Sequence, residues 1–325
     1  LPTLSEIANA AGVSVTVASR VLSPKPELNK RVAAKTRVKV QAVAEQMGYV
    51  PNRSAEFLKR GKNPVIGIFL PRYDDSLVAR LTFGISDEAA RREFSLSFHY
   101  DMTYDSYRSF LDNARNIRNC GIITFPYFDT DQKCEDLIEE YVKSGGKIVM
   151  ISQSRYLPNV PTVAIDDYLG GQLAGERFAQ LKCDKVFCYI SIGNRGNGCA
   201  DFLKKHGIDC EVYAVEKVSS STIYEKIKNS ISCGCKTGFF AGTDYQAAGF
   251  YKFSTVNKWE IGKDVFVIGY DNQNYSNFLT PSLTSIDQPF MQVGCDAVNM
   301  LIDQIYNKEV ESRMIKPTLI ARESA

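Results

Sequence analysis

Two histidines, His99 and His206, and a single tryptophan are all that the 325 residues contain of those types. Neither histidine stands near a serine or cysteine elbow or at metal-ligand spacing, so hydrolase and zinc readings find no support. His99 lies inside an apolar run and is expected in the core rather than acting as a base. No apolar stretch approaches the roughly 20 residues needed to cross a bilayer. The start, Leu1-Pro2-Thr3-Leu4, does not read as a signal peptide, and a cytoplasmic location is expected. Cys-x-x-Cys pairs are absent. The nine cysteines are scattered and read as reduced thiols, mostly small core residues. Phosphate-cradling patterns are missing too: Gly193-x-x-Gly196-x-Gly198 has the wrong order for a dinucleotide loop, and Gly234-Cys235-Lys236-Thr237 lacks the upstream glycine of a P-loop. No catalytic residue, cofactor or metal is assigned.

What remains is an ordinary globular composition, 44% hydrophobic and 23% charged, in a chain long enough for a small domain joined to one or two larger ones. The charge is uneven. Residues 1–62 carry eleven Lys/Arg against four Glu, a net of +7; since the whole chain is +2, the rest must sum to −5. A basic head on a mildly acidic body suggests a polyanion partner but does not name one.

The head has a pattern. Thr3 and Glu6 have capping-box spacing, and Leu4, Ile7, Ala8 and Ala11 follow on one helical face. Gly12 stops that helix, Val13 plugs the turn, Ser14 caps a second helix, and Ala18, Val21 and Leu22 give it a buried side. Val40, Val43, Ala44 and Met47 mark a third helix ending before Gly48. This predicts a helix-turn-helix whose second helix presents Ser14, Val15, Thr16, Ser19 and Arg20 outward, where Arg can reach guanine, Thr a base or phosphate, and Val a thymine methyl. The same hairpin could instead serve a protein contact.

From Val65 onward, apolar β-rich runs alternate with helical stretches: 65–70, 95–100, 121–125, 147–152, 186–191, 211–215, 237–241 and 265–270. Parallel sheets covered by helices follow, split into two lobes, with breaks near Asn159-Val160-Pro161 and Gln288-Pro289 where the chain crosses between them. Two facing lobes make a cleft beyond their strand ends. Loops 71–76, 166–167, 193–198 and 269–272 offer forked donors and carboxylate acceptors suited to a polyhydroxylated ligand.

Thr3-Leu4-Ser5-Glu6-Ile7-Ala8, Gly12-Val13-Ser14, Ala18-Ser19-Arg20-Val21-Leu22, Lys35-Thr36-Arg37 and Gly48-Tyr49-Val50-Pro51-Asn52 together resemble the head of the lac-repressor/gal-repressor family. Body landmarks in the same order extend the resemblance along essentially the whole chain: Val267-Ile268-Gly269-Tyr270-Asp271, Pro281-Ser282-Leu283-Thr284, Gln288-Pro289 and Ala321-Arg322-Glu323-Ser324. Val17-Ala18 replaces the usual Thr-Val, the segment from Ser23 to Arg31 is longer than usual, and the family's frequent Asn-Asp is Thr243-Asp244.

The resemblance implies an all-α helix-turn-helix head (1–50), a hinge (51–62) and a two-lobed, periplasmic-binding-protein-like α/β body of doubly wound parallel sheets (63–325). The lobes are expected at about 63–160 with 289–315, and about 161–288 with 316–325. It implies a homodimeric transcriptional repressor on a near-palindromic DNA operator, with Asn52, Arg53, Ala55 and Leu58 of the hinge at the DNA and Leu58 as a minor-groove wedge. It also implies an effector, a sugar or sugar derivative, contacted by Tyr73, Asp74, Asp75, Arg195, Asp244 and Asp271. The chain closes at Ala325 without a heptad segment, which favours a dimer over a tetramer. The rival readings are a transport-type sugar-binding protein, against which the basic head argues, and an enzyme on the same fold.

Overall fold

The first helix, α1 (Leu4–Ala11), starts where Thr3 takes the Glu6 amide on its hydroxyl while the Glu6 carboxylate takes the Thr3 amide at 2.6 Å. It stops at Gly12, whose φ of 65° is the left-handed conformation that glycine adopts without steric cost. Helix α2 (Val15–Val21) starts at Ser14, whose hydroxyl accepts from the Val17 amide. A one-turn helix, α3 (Pro26–Asn29), precedes α4 (Ala34–Gln46). Ile7, Ala8, Ala11, Ala18, Val21, Val40 and Ala44 form the core they share, with Leu4, Val13, Leu22 and Tyr49 packed against it. Met47, expected in this core, is exposed because α4 ends at Gln46 and the chain turns away at Gly48.

A computed structural model describes residues 2–23, 26–29, 31–49, 63–73, 76–126, 132–152, 157–190 and 194–325. The chain forms two compact units, Leu1–Pro64 and Val65–Ala325. The hinge residues Asn52, Arg53, Ala55 and Leu58, and Asp74 and Asp75 of the body, lie outside the described residues.

The body holds two six-stranded sheets. In the first, β1 (Asn63–Leu70), β2 (Ser95–Tyr100), β3 (Asn119–Thr124), β4 (Ile148–Ser152), β5 (Thr162–Ile165) and β11 (Arg313–Ile315) take the order β11-β5-β4-β3-β1-β2. In the second, β6 (Lys185–Ile190), β7 (Asp209–Ala214), β8 (Thr237–Ala241), β9 (Val265–Tyr270), β10 (Thr284–Asp287) and β12 (Thr318–Ile320) take the order β12-β10-β9-β8-β6-β7, with β12 antiparallel to β10. Helices α5 (Ser76–Arg91), α6 (Tyr104–Asn116), α7 (Gln132–Lys143) and α12 (Phe290–Ile305) belong with the first sheet; α8 (Asp167–Gln180), α9 (Arg195–Lys205), α10 (Ser220–Ser232) and α11 (Asp244–Asn257) belong with the second. Central strands such as β3, β8 and β9 are buried along their whole length, as parallel strands covered on both faces must be.

The chain crosses between lobes three times: after Ile165, through Gln288 and Pro289, and between Ile315 and Thr318. The first crossing is a correction. It was expected near Pro161, but Thr162–Ala164 pair in parallel with Met150–Ser152, so β5 completes the first sheet before the chain leaves. β5, β10, β11 and β12 are three or four residues long, too short to show a periodicity.

Close helix contact stiffens the second lobe. A Cβ at Gly171 would lie 1.9 Å from the Arg195 carbonyl oxygen, and one at Gly198 would lie 2.0 Å from that of Tyr168. Only glycine lets α8 and α9 approach so closely.

Candidate functional site

The buried polar cluster of the body is assembled from the carboxyl ends of its strands, where doubly wound sheets present their loops. Asp167 follows β5, Arg195 opens the helix after β6, the Gly242 carbonyl follows β8, Asp271 follows β9 and Gln288 follows β10. Asp166 caps α8 by accepting from the Leu169 amide, which leaves Asp167 to face inward.

Arg195 is only 1% exposed. Its Nε donates to Asp167 Oδ1 at 3.0 Å, Nη1 to the Gly242 carbonyl at 2.7 Å and Nη2 to Gln288 Oε1 at 3.5 Å. Gln288 Nε2 in turn donates to Asp271 Oδ1 at 2.6 Å, and the Tyr270 hydroxyl to Asp167 Oδ1 at 2.9 Å. Burial works against the arginine's charge, but Asp167, Tyr270 and Asp271 more than offset it and keep the guanidinium protonated. Burial pushes the Tyr270 phenol well above its ordinary value, so it stays a donor. One acceptor is left over. Asp167 Oδ2 is buried and has no hydrogen-bond partner among the described residues, a situation costly enough that a ligand donor is its natural complement.

Asp271 sits at φ 111° and Asn272 at φ 48°. Such backbone costs about 1–3 kcal/mol per residue and persists only where neighbours enforce it. Here the Asp271 amide is tied to the Ile286 carbonyl, the Asn272 amide to Ser285 Oγ at 3.0 Å, and the Asn272 side chain to Arg322 and Asp287.

The first lobe reaches the same loop. Ser76 donates to Gln273 Oε1 at 2.5 Å, and Arg80 donates to the Asp271 carbonyl at 2.6 Å and to Asp287 at 3.0 Å. Tyr73, expected at the effector, is 40% exposed in the loop after β1. Asp244 is placed differently from the other expected contacts. Fully buried at the start of α11, it accepts from Ser285 Oγ, Ser276 Oγ and the Gln273 amide at 2.6, 2.6 and 2.7 Å. With both oxygens engaged by the protein, it organises the 271–276 loop. Burial raises its carboxyl against the pull of those donors.

Asp167, Gln288, Arg80 and Gln273 were not assigned as site residues from sequence. Asp167 had a signal, since two aspartates follow an apolar run and only one can cap the helix. The two histidines stand apart. His99 is half-buried on edge strand β2 rather than in the core, bonded to Ser106 Oγ and stacked on Phe69; His206 is exposed and stacked on Phe202.

In the head, Val15, Thr16, Ser19 and Arg20 are exposed together on one side of α2, opposite the buried Ala18 and Val21. The Ser14 hydroxyl is engaged in capping. Lys35 is exposed, whereas Arg37 is half-buried and donates to the Asn29 carbonyl.

Residues 3–52 match the model of the bacterial regulatory proteins of the lacI family, and residues 176–325 match that of a periplasmic binding protein-like domain. The chain carries a lacI-family head and a periplasmic binding protein-like domain. Among lacI-family and related proteins, it is 26% identical to the ribose operon repressor of Bacillus subtilis (strain 168) over 324 residues, 97% of this chain and 95% of the relative. A cellobiose complex of the transcriptional regulator CelR aligns over 100% of both chains at 19% identity with a TM-score of 0.68. The lac repressor dimer bound to operator and the anti-inducer ONPF aligns over 99% of this chain and 98% of its own, at 21% identity and a TM-score of 0.68. These two likenesses show that the chain shares their fold over its whole length. Among the described residues, no helix is long and apolar enough to cross a membrane.

Proposed function

We propose that this chain is a sequence-specific DNA-binding transcriptional repressor whose grip on its operator is set by a sugar or sugar derivative held between the lobes. The observation that carries the effector half is Asp167 Oδ2, buried beside Arg195 and with no hydrogen-bond partner among the described residues. A sugar hydroxyl is a neutral donor that satisfies such an oxygen, and its own oxygens accept from a forked guanidinium. The ribose operon repressor and the cellobiose-bound regulator among its relatives support this class of ligand.

The DNA half rests on the family match of the head and on the outward face of Val15, Thr16, Ser19 and Arg20. Two copies would each read one half of a near-palindromic site, as two-fold symmetry requires, and the operator-bound lac repressor dimer supports that arrangement. Asn52, Arg53, Ala55 and Leu58 are assigned to the central minor groove, with Leu58 as the wedge. Tyr73, Asp74, Asp75, Arg195 and Asp271 are assigned to the effector, with Asp167 and Gln288 added; Asp244 acts by positioning Gln273. The protein works in the bacterial cytoplasm and is not an enzyme, a reading its relatives among transcriptional regulators support.

The Ser76, Arg80, Gln273 and Asp287 contacts tie the lobes together at the site. A ligand that prefers this arrangement shifts the lobe equilibrium and, through the first-lobe segment that leads from the hinge, the spacing of the paired heads. The test selects binding sites from random duplexes with and without a panel of pentoses, hexoses, disaccharides and sugar phosphates. A recovered near-palindrome whose retention changes with one sugar supports the reading; no sequence preference in any condition overturns it.

A further inference from the structure

The family reading leaves the cysteines unused, and the fold brings three of them together. Cys188 on β6, Cys199 on α9 and Cys210 on β7 are separate in sequence. Yet their sulfurs all lie within 4.8 Å of one another, the Cys188–Cys210 pair at 3.7 Å. Among the described residues no other group of three or more Cys, His, Asp or Glu side chains converges in this way. Cys188 and Cys199 are fully buried, in an apolar surround of Ala174, Phe178, Val186 and Leu203. Cys210 is half-buried on β7, the edge strand of its sheet, which provides a way in from solvent.

Three sulfurs bound to one centre at about 2.3 Å stand about 3.5–4.0 Å apart, from a pyramidal to a planar arrangement, and the Cys188–Cys210 pair at 3.7 Å falls in that range. The surroundings decide which centre fits. Three thiolates around a monovalent ion carry two net negative charges and around a divalent ion one, and an uncompensated charge in an apolar interior is heavily penalised. The charged neighbours of Cys210 in the chain do not help, since Asp209 and Glu211 flank it and Lys185 is already paired to both. A trivalent centre with three thiolates is neutral.

We propose that Cys188, Cys199 and Cys210 form a trithiol site for a trivalent metalloid of the arsenite or antimonite class. Uncharged arsenous acid, As(OH)3, exchanges its three hydroxyls for three sulfurs: three S–H bonds and three As–O bonds break, three As–S bonds form, and three waters leave. No oxidant or reductant is required. Cys210, half-buried on the edge strand, is the sulfur that solvent reaches and so is the first to exchange. Cys199 lies one turn after Arg195 on α9, and the glycine contacts bind α9 tightly to α8. Drawing Cys199 toward β6 and β7 therefore pulls on the helix that carries Arg195, giving the metalloid a direct mechanical path to the effector site.

The test uses the full-length, reduced protein titrated with sodium arsenite. Native mass spectrometry should show one arsenic per chain with three protons lost, and arsenic X-ray absorption should show three sulfur neighbours and no oxygen. Cys210→Ala, on the edge strand, should lower affinity at least tenfold and leave oxygen on the arsenic, while the paired Cys233→Ala/Cys235→Ala variant should bind like the native chain. Cys199→Ser serves as a second variant should Cys210→Ala fail to fold. Unchanged binding in Cys210→Ala or Cys199→Ser, oxygen retained on arsenic in the native chain, or loss of binding in the Cys233/Cys235 variant would overturn the site. Uptake of zinc or cadmium alone by these three sulfurs in preference to arsenite would overturn the trivalent assignment.

Discussion

Arg195 and Tyr270 converge on a single oxygen. The guanidinium lies 3.6 Å over the phenol ring, and both groups donate to Asp167 Oδ1, while Oδ2 has no hydrogen-bond partner among the described residues.

Removing the fork should therefore disable the effector site from within. Arg195→Lys keeps a charge near Asp167 but forfeits the Gly242 and Gln288 contacts, with an expected stability loss of about 2–4 kcal/mol and no remaining sugar response. Asp271→Ala frees Gln288 Nε2 and should weaken sugar binding at least tenfold with little change in operator affinity. Calorimetry that found native sugar affinity in both variants would exclude this cluster as the effector site.

The lobe-spanning contacts of Arg80 give a separate handle. Arg80→Ala loses the bonds to the Asp271 carbonyl and to Asp287, and should weaken sugar binding by about 1–2 kcal/mol. Its thermal stability without ligand should change little, because the contacts join two lobes that each hold their own core. A variant with native ligand affinity would show that this latch is not part of the liganded arrangement.

Base reading and backbone attraction separate in the head. Arg20→Ala should cost about 1–3 kcal/mol per half-site and relax preference at one base pair, whereas Lys35→Ala should weaken all duplexes alike and reduce the salt slope. Arg37→Ala should also lower the melting temperature of the head, since that guanidinium holds the Asn29 carbonyl. Selection with Arg20→Ala returning the native operator would move the reader elsewhere.

The packing of α8 on α9 tolerates no side chain at the contact. Gly171→Ala and Gly198→Ala, each driving a methyl onto a backbone oxygen, should destabilise the body by about 3 kcal/mol or more. Gly234→Ala makes a contrasting control. There a Cβ meets nothing within 4 Å, and the cost comes only from its φ of 80°. Chemical denaturation showing equal losses at all three positions would refute the close-contact account.

Acid should loosen the start of the head. Donation from the Thr3 amide and hydroxyl holds the Glu6 carboxyl below its ordinary 4.5. A folded value below the unfolded one contributes stability that is present above 4.5 and fades as pH falls through the lower, folded value. Glu6→Gln should flatten this acid dependence in the melting temperature of the isolated α1 signal, followed by amide exchange; an unchanged slope would mean that the capping box does not act through charge.

Much of the head was legible because its determinants are local. A capping pair three residues apart, a glycine stop and apolar residues at helical spacing act within one or two turns, so Thr3, Glu6, Gly12 and Ser14 announced their roles in the chain itself. The long apolar strands of the body were legible for the same reason, and their alternation with helices implied parallel sheets. Strands of three or four residues left no pattern, and β5 was misplaced across the first crossing because a short buried run after a proline looks like linker. Asp244 shows the limit for sites: its sequence position matched an expected contact, but which donors reach a carboxylate depends on loops 29–41 residues away. Asp167 became visible as an unpartnered acceptor only when Arg195, Tyr270 and Gln288 were brought to it from three other strand ends. Cys188, Cys199 and Cys210 were scattered thiols until β6, α9 and β7 stacked, because convergence in space is a property of topology and leaves no trace in spacing along the chain.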